Sequence, residues 1–157
     1  MIGKPLELIT YLYNQDKDKQ FDLKEHKNKR SPNANNYAWQ LMEQIAKVLG
    51  TSKDEIYEIM LSRYGTLLRD DNDDLIIIPR RDELKSQANL HIKNIGKKLI
   101  NDNISNMYAV IKGSSEYDTK EMSIFIDGVV YEAKELDIET KTPNEIANLK
   151  SQWEAMK

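Results

Sequence analysis

Lys27, Lys29 and Arg30 stand just ahead of three asparagines, Asn33, Asn35 and Asn36, and of two aromatics, Tyr37 and Trp39. Clustered Lys and Arg neutralise phosphates, and that contact supplies most of the sequence-independent affinity for nucleic acid. Asparagine amides bond phosphate, sugar or base edges. An aromatic ring can stack on an unpaired base, a contact worth about 1–3 kcal/mol. Tyr37 and Trp39 are candidates, but Trp39 lies one residue off an apolar helical stripe, so packing is its first reading and stacking its second. The bland reading of the lysines is a solvated strand end. Arg80, Arg81 and Lys112 follow other apolar runs and join the candidate set.

Other chemistry finds less support. The chain has no Cys, which excludes disulfides, a thiol nucleophile and a thiolate metal site. Neither His26 nor His91 has a neighbour at metal-ligand spacing or a setting suited to Ser-His-Asp catalysis. Asp70–Asp74 is acidic enough to suggest a calcium loop but lacks the central Gly and distal Glu of one, so an exposed turn is expected. Gly113–Thr119 precedes a helix without the Gly-Lys-Ser/Thr of a phosphate loop, and Asp118 with Glu121 reads as a capping box. No catalytic residue, metal or cofactor is expected, and the reading is non-enzymatic. Two alternatives stay open. One is a metal-dependent nuclease using carboxylates distant in sequence, and the other is a protein-only adaptor working through the acidic 116–139 surface.

The elements that must position these residues suit an α+β single domain spanning the 157 residues, a small antiparallel sheet packed with four to five helices. The net charge of −3 is uneven, because residues 116–157 hold 10 acidic and 5 basic side chains. Local patches rather than this sum decide binding to nucleic acid. No apolar run of membrane-spanning length occurs and no secretory signal opens the chain, so an intracellular protein is expected.

In chain order, residues 5–14 read as a short helix with Leu8, Leu12 and Ile9 on one face. Residues 20–26 read as an edge strand with Phe21 and Leu23 inward. A helical hairpin is expected over 36–64, with Ala38, Leu41, Met42, Ile45, Ala46 and Leu49 on one stripe. Gly50 closes its first helix, and Ser52 with Glu55 caps the second, whose buried side should carry Ile56, Ile59, Met60 and Tyr64. Leu75–Ile78 reads as a buried strand stopped by Pro79, and 80–90 as a short helix. Strands at 91–100 and 106–112 should pair across a turn at 101–105. A strand–loop–helix unit then covers 106–136, its helix striped by Met122, Phe125, Ile126, Val129, Val130, Ala133 and Leu136. Gly128, costly inside a helix, signals a close backbone approach. Thr142-Pro143-Asn144-Glu145 starts a final helix over 143–156 whose narrow stripe, Ile146, Leu149, Trp153 and Met156, suits either the domain or a second copy.

Arg30-Ser31-Pro32-Asn33-Ala34-Asn35-Asn36-Tyr37-Ala38-Trp39 resembles a block of the Orf (NinB) recombination proteins of lambdoid and related phages, where Arg-Ser-Leu-Asp-x-Asn is followed by Trp and a helix. A second block, the strand Tyr108–Lys112 and then Gly113–Met122, is similar to the strand, Ser-rich loop and helix of that family. Residues 139–153, ending on Trp153, resemble its terminal helix. Pro32 and Asn33 depart from the family's Leu and Asp, which puts the role of that acid in doubt. The resemblance implies a homodimer with a positively lined channel that binds single-stranded DNA. It also implies contact with the host single-stranded-DNA-binding protein, help in loading a strand-exchange protein, and a place in the host cytoplasm if phage or prophage encoded.

Overall fold

The computed structural model describes residues 4–22, 33–87 and 89–155. Five helices and a three-stranded antiparallel sheet form one α+β domain. The helices are α1 (Pro5–Tyr13), α2 (Asn33–Leu49), α3 (Lys53–Tyr64), α4 (Thr119–Glu135) and α5 (Pro143–Ala155). The strands are β1 (Ile77–Arg80), β2 (His91–Ile100) and β3 (Asn103–Ile111), in the order β1-β3-β2.

Helices α2 and α4 carry the core because their apolar stripes are the most regular in the chain. Ala38, Leu41, Met42 and Ile45 of α2 are buried, as are Met122, Phe125, Ile126, Val129 and Ala133 of α4. Leu49, expected on the α2 stripe, is exposed. Gly50 closes α2 with φ +69°, a left-handed geometry that suits glycine. The Ser52 side chain accepts from the Glu55 backbone N–H to start α3. The Asp118–Glu121 capping box starts α4 with both reciprocal bonds present. At Gly128 the approach is close indeed: a Cβ there would lie 2.3 Å from Cγ of Tyr64 on α3. Helix α5 packs on the domain through Ile146 and Trp153, and the indole N–H donates to the Tyr117 carbonyl at 3.0 Å.

Several expectations need correction. Helix α3 is turned relative to its expected face, for Tyr57 and Leu61 are buried with Ile56 and Met60 while Ile59 is 41% exposed. The cause is aromatic packing: Tyr57 meets Trp39 at 4.4 Å between centroids and Phe125 edge-on at 6.3 Å. Strand β1 is neither buried nor stopped by Pro79. It runs through that proline to Arg80 with Ile76 and Ile77 part-exposed. An edge strand tolerates proline because one of its sides needs no ladder donors. No helix forms between Arg81 and Leu90 among the described residues. Leu84 gives its backbone N–H to the Tyr108 hydroxyl at 3.0 Å instead. Helix α1 forms but buries no residue, and Phe21 is exposed rather than inward. Leu23–His26 of the expected edge strand lie outside the described residues, as does Met156. Asp70–Asp74 is an exposed turn built on Asp70, whose side chain accepts from the N–H groups of Asn72 and Asp74.

Candidate nucleic-acid interface

The sheet has two unlike faces, and the chain's alternation decides which residue goes where. Ala109 and Ile111 of β3 are buried on one face, and Tyr108 and Val110 on the other. On that face β2 reaches α3: Lys93 Nζ donates to the Ser62 carbonyl at 2.8 Å, and His91 bonds Glu58. The opposite face holds Ile78, Tyr108 and Asn94 as register partners, followed by Arg80, Asn106 and Lys97. Register partners project from the same face, so Arg80, Asn106 and Lys97 form one row across three strands.

Lys97 is in that row because of a bulge. The β2–β3 register shifts between Asn94 and Gly96. Gly96 takes φ +131°, and its N–H donates to the Asn94 side-chain oxygen at 2.9 Å. Without the extra residue, Lys97 would share the face of His91 and Lys93. The bulge turns it to the outer face beside Arg80, a re-aiming that bulges commonly perform. Arg81 and Lys85 continue the cationic surface along the following loop, and Lys98 faces the other way. Arg80, Arg81, Lys85, Lys97 and Lys98 make no ion pair among the described residues. Asp82 and Glu83 lie within the loop, so the positive excess needs both the loop and β2. Beside the row a groove of about 320 Å3 opens between loop and sheet, lined by Leu84, Lys85, Ser86, Asn94 and Tyr108.

The remaining sequence candidates fare differently. Arg80 and Arg81 are exposed, as expected of phosphate ligands. Asn33 is the first residue of α2, and Asn36 is exposed one turn on. Asn35 is taken up by the fold: its side-chain oxygen accepts from the Ser114 hydroxyl at 2.8 Å. Ser114 is buried and meets the Tyr57 hydroxyl at 3.1 Å, so this amide ties α2 to α3 and the loop before α4. Lys112 is likewise claimed, by Glu121 at 3.0 Å, with its side chain only 25% exposed. Lys27, Lys29 and Arg30 lie outside the described residues. Trp39 is half-buried against Tyr57, in keeping with the packing reading.

The sequence offers Lys97 only as one of several lysines (Lys93, Lys97, Lys98 and Lys112) on the expected hairpin, and Asn106 not at all, because their placement depends on strand register. The Asn-Ile-Gly run of residues 94–96 is the one local signal, since a glycine inside a strand pattern marks a bulge. His91 has a partner that spacing did not offer: the Glu58 carboxylate accepts from Nδ1 at 2.5 Å. Among the described residues no three His, Asp or Glu side chains gather as a potential metal site, and no helix is long and apolar enough to cross a membrane.

No family model, curated protein or solved structure matches the chain.

Proposed function

We propose that the protein binds single-stranded DNA through the outer face of its sheet. The observation that carries this reading is the row Arg80–Asn106–Lys97, with Arg81 and Lys85 beside it and, among the described residues, no ion pair compensating these cations. Surface cations left without carboxylate partners are free to neutralise a phosphate backbone, and release of its counterions then drives binding. Asn106, between the two cations, and Asn94 offer amide donors and acceptors for sugar or base edges. Tyr108 on this face is buried, so the exposed polar groups of Arg80, Asn94 and Lys97 carry the contact, and the preference for an unpaired strand rests on the likeness to the Orf (NinB) blocks. The basic segment Lys27, Lys29 and Arg30 would add positive charge for phosphate, and the exposed Asn36 an amide.

The likeness of residues 30–39 and 108–122 to the Orf (NinB) blocks supports a more specific role. In it the protein is a non-enzymatic mediator that assists loading of a strand-exchange protein. It works as a homodimer in the host cytoplasm and contacts the host single-stranded-DNA-binding protein. Fluorescence anisotropy with a labelled single-stranded oligonucleotide tests the DNA-binding core of the proposal. Saturable binding, weakened by changing Arg80, Arg81 and Lys97 together to Ala, is the expected result. Unchanged affinity in that variant overturns the assignment of the face, and no retention of DNA by the parent protein overturns the function.

A further inference from the structure

A second concavity, chemically unlike the DNA-binding face, lies where α3 meets the start of β2. It measures about 810 Å3, within the usual range for ligand sites. Trp39 and Tyr57 wall it with paired rings, and His91 stands edge-on to Tyr57 at 5.3 Å. Three carboxylates also line it, those of Asp54, Glu55 and Glu58. No Lys or Arg stands among its described lining residues, and Lys93, which projects from β2 toward α3, is bonded to the Ser62 carbonyl. Glu58 donates nothing and accepts from His91 through Oε1, while its Oε2 is buried without a partner among the described residues. Ser86 and Gln87 supply neutral hydrogen-bonding groups at the edge.

Phosphate is a poor fit to such a lining, because each carboxylate repels it. A cation on an apolar stem fits every part. Aromatic faces attract guanidinium and ammonium groups through the ring quadrupole, most strongly where water is excluded. A carboxylate with a lone pair to spare accepts charge-assisted bonds from the same head group. The planar fork of arginine both stacks on rings and bonds carboxylates, which an ammonium does less well. We infer that this cleft binds the arginine side chain of a partner protein, its guanidinium against Trp39 and Tyr57 and its N–H groups on Glu58 and Glu55. The cleft and the sheet face would then serve different ligands, one basic and one acidic.

The test titrates the protein with a capped Gly-Arg-Gly peptide and with its citrulline counterpart, which keeps the shape and loses the charge. Trp39 emission and the His91 ring resonances report occupancy. The other tryptophan, Trp153, is buried with its N–H on the Tyr117 carbonyl and should stay silent. Saturable binding of the arginine peptide is expected, with the citrulline peptide weaker by at least about tenfold, the factor that about 1.4 kcal/mol represents. Glu58→Gln should weaken the arginine peptide by a similar factor. If that variant fails to fold, Glu55→Gln at an exposed position decides, with an expected severalfold loss. Equal affinity for the two peptides, no change at Trp39 and His91, or full affinity in the Glu55→Gln variant would overturn the inference.

Discussion

Replacing Gly128 by alanine sets two effects of opposite sign against each other. In the interior of a helix, alanine is favoured over glycine by about 1 kcal/mol. Against this, the new Cβ would lie 2.3 Å from Cγ and 2.5 Å from both Cδ atoms of Tyr64, well inside ordinary van der Waals contact. The obstacle is a ring rather than the free end of a flexible chain. Its hydroxyl is held by Glu132 at 2.7 Å, and Arg63 holds the same carboxylate at 2.8 Å. Moving the ring aside therefore adds the loss of a bond to a charged acceptor, about 1.5 kcal/mol, to an overpacking cost of about 1–3 kcal/mol. After the gain in helix propensity, a net destabilisation of about 1.5–3.5 kcal/mol is expected. Urea unfolding would show it as a lower midpoint with an unchanged slope. A double-mutant cycle isolates the cause: in a Tyr64→Ala background, Gly128→Ala should be neutral or stabilising. Additive effects of the two changes, or a more stable single variant, would refute the packing argument.

Three further outcomes follow from the same contacts. Ser114→Ala removes the hydroxyl that joins Asn35 to Tyr57; Tyr57 keeps the Ser114 backbone N–H, but the Asn35 oxygen loses its partner, which should cost about 1–3 kcal/mol in urea unfolding, and a loss within about 0.5 kcal/mol of zero would contradict the network. The Tyr64 hydroxyl, followed by Arg63, holds the Glu132 carboxyl below its ordinary value of 4.5. Such a group contributes stability that is present above its unfolded pKa and lost as pH falls through the lower folded one. Unfolding midpoints measured from about pH 6 downward should therefore fall more steeply for the parent than for Glu132→Gln, and parallel curves would exclude the contribution. Lys112→Ala should leave single-strand affinity nearly unchanged, since its cation is already paired with Glu121, whereas a loss as large as that of Arg80→Ala would return Lys112 to the DNA path.

The elements legible in the sequence were those specified locally. The stripes of α2 and α4, the left-handed Gly50, the capping boxes at Asp118 and Thr142, and the tight contact at Gly128 all follow from neighbouring residues. Where several faces of one helix were apolar, local pattern could not choose. In α3, Ile56, Tyr57, Ile59, Met60 and Leu61 spread over more than half of the circumference, and the partners of Tyr57 on α2 and α4 decide the rotation. The β1 strand was misread because Pro79 ends a central strand but not an edge one. The expected helix after it has too few apolar positions to bury, so its backbone finds Tyr108 instead.

The candidate site was less visible because its geometry is non-local. Arg80 and Arg81 could be picked out as cations after an apolar run. Their neighbour Lys97 arrives only through the β1–β3–β2 register and the Gly96 bulge. Asn35 and Lys112, by contrast, looked available in one dimension and are occupied in three, by Ser114 and Glu121.

Single-strand affinity as a function of salt tests the central claim most directly. Each phosphate neutralised contributes about 0.7 to the slope of log affinity against log salt for a single strand. The parent protein should show a steep negative slope. The variant with Arg80, Arg81 and Lys97 changed to Ala should show one flatter by about 2, if each cation meets one phosphate. Equal slopes for the two proteins, or a parent slope near zero, would contradict the assignment of this sheet face to DNA.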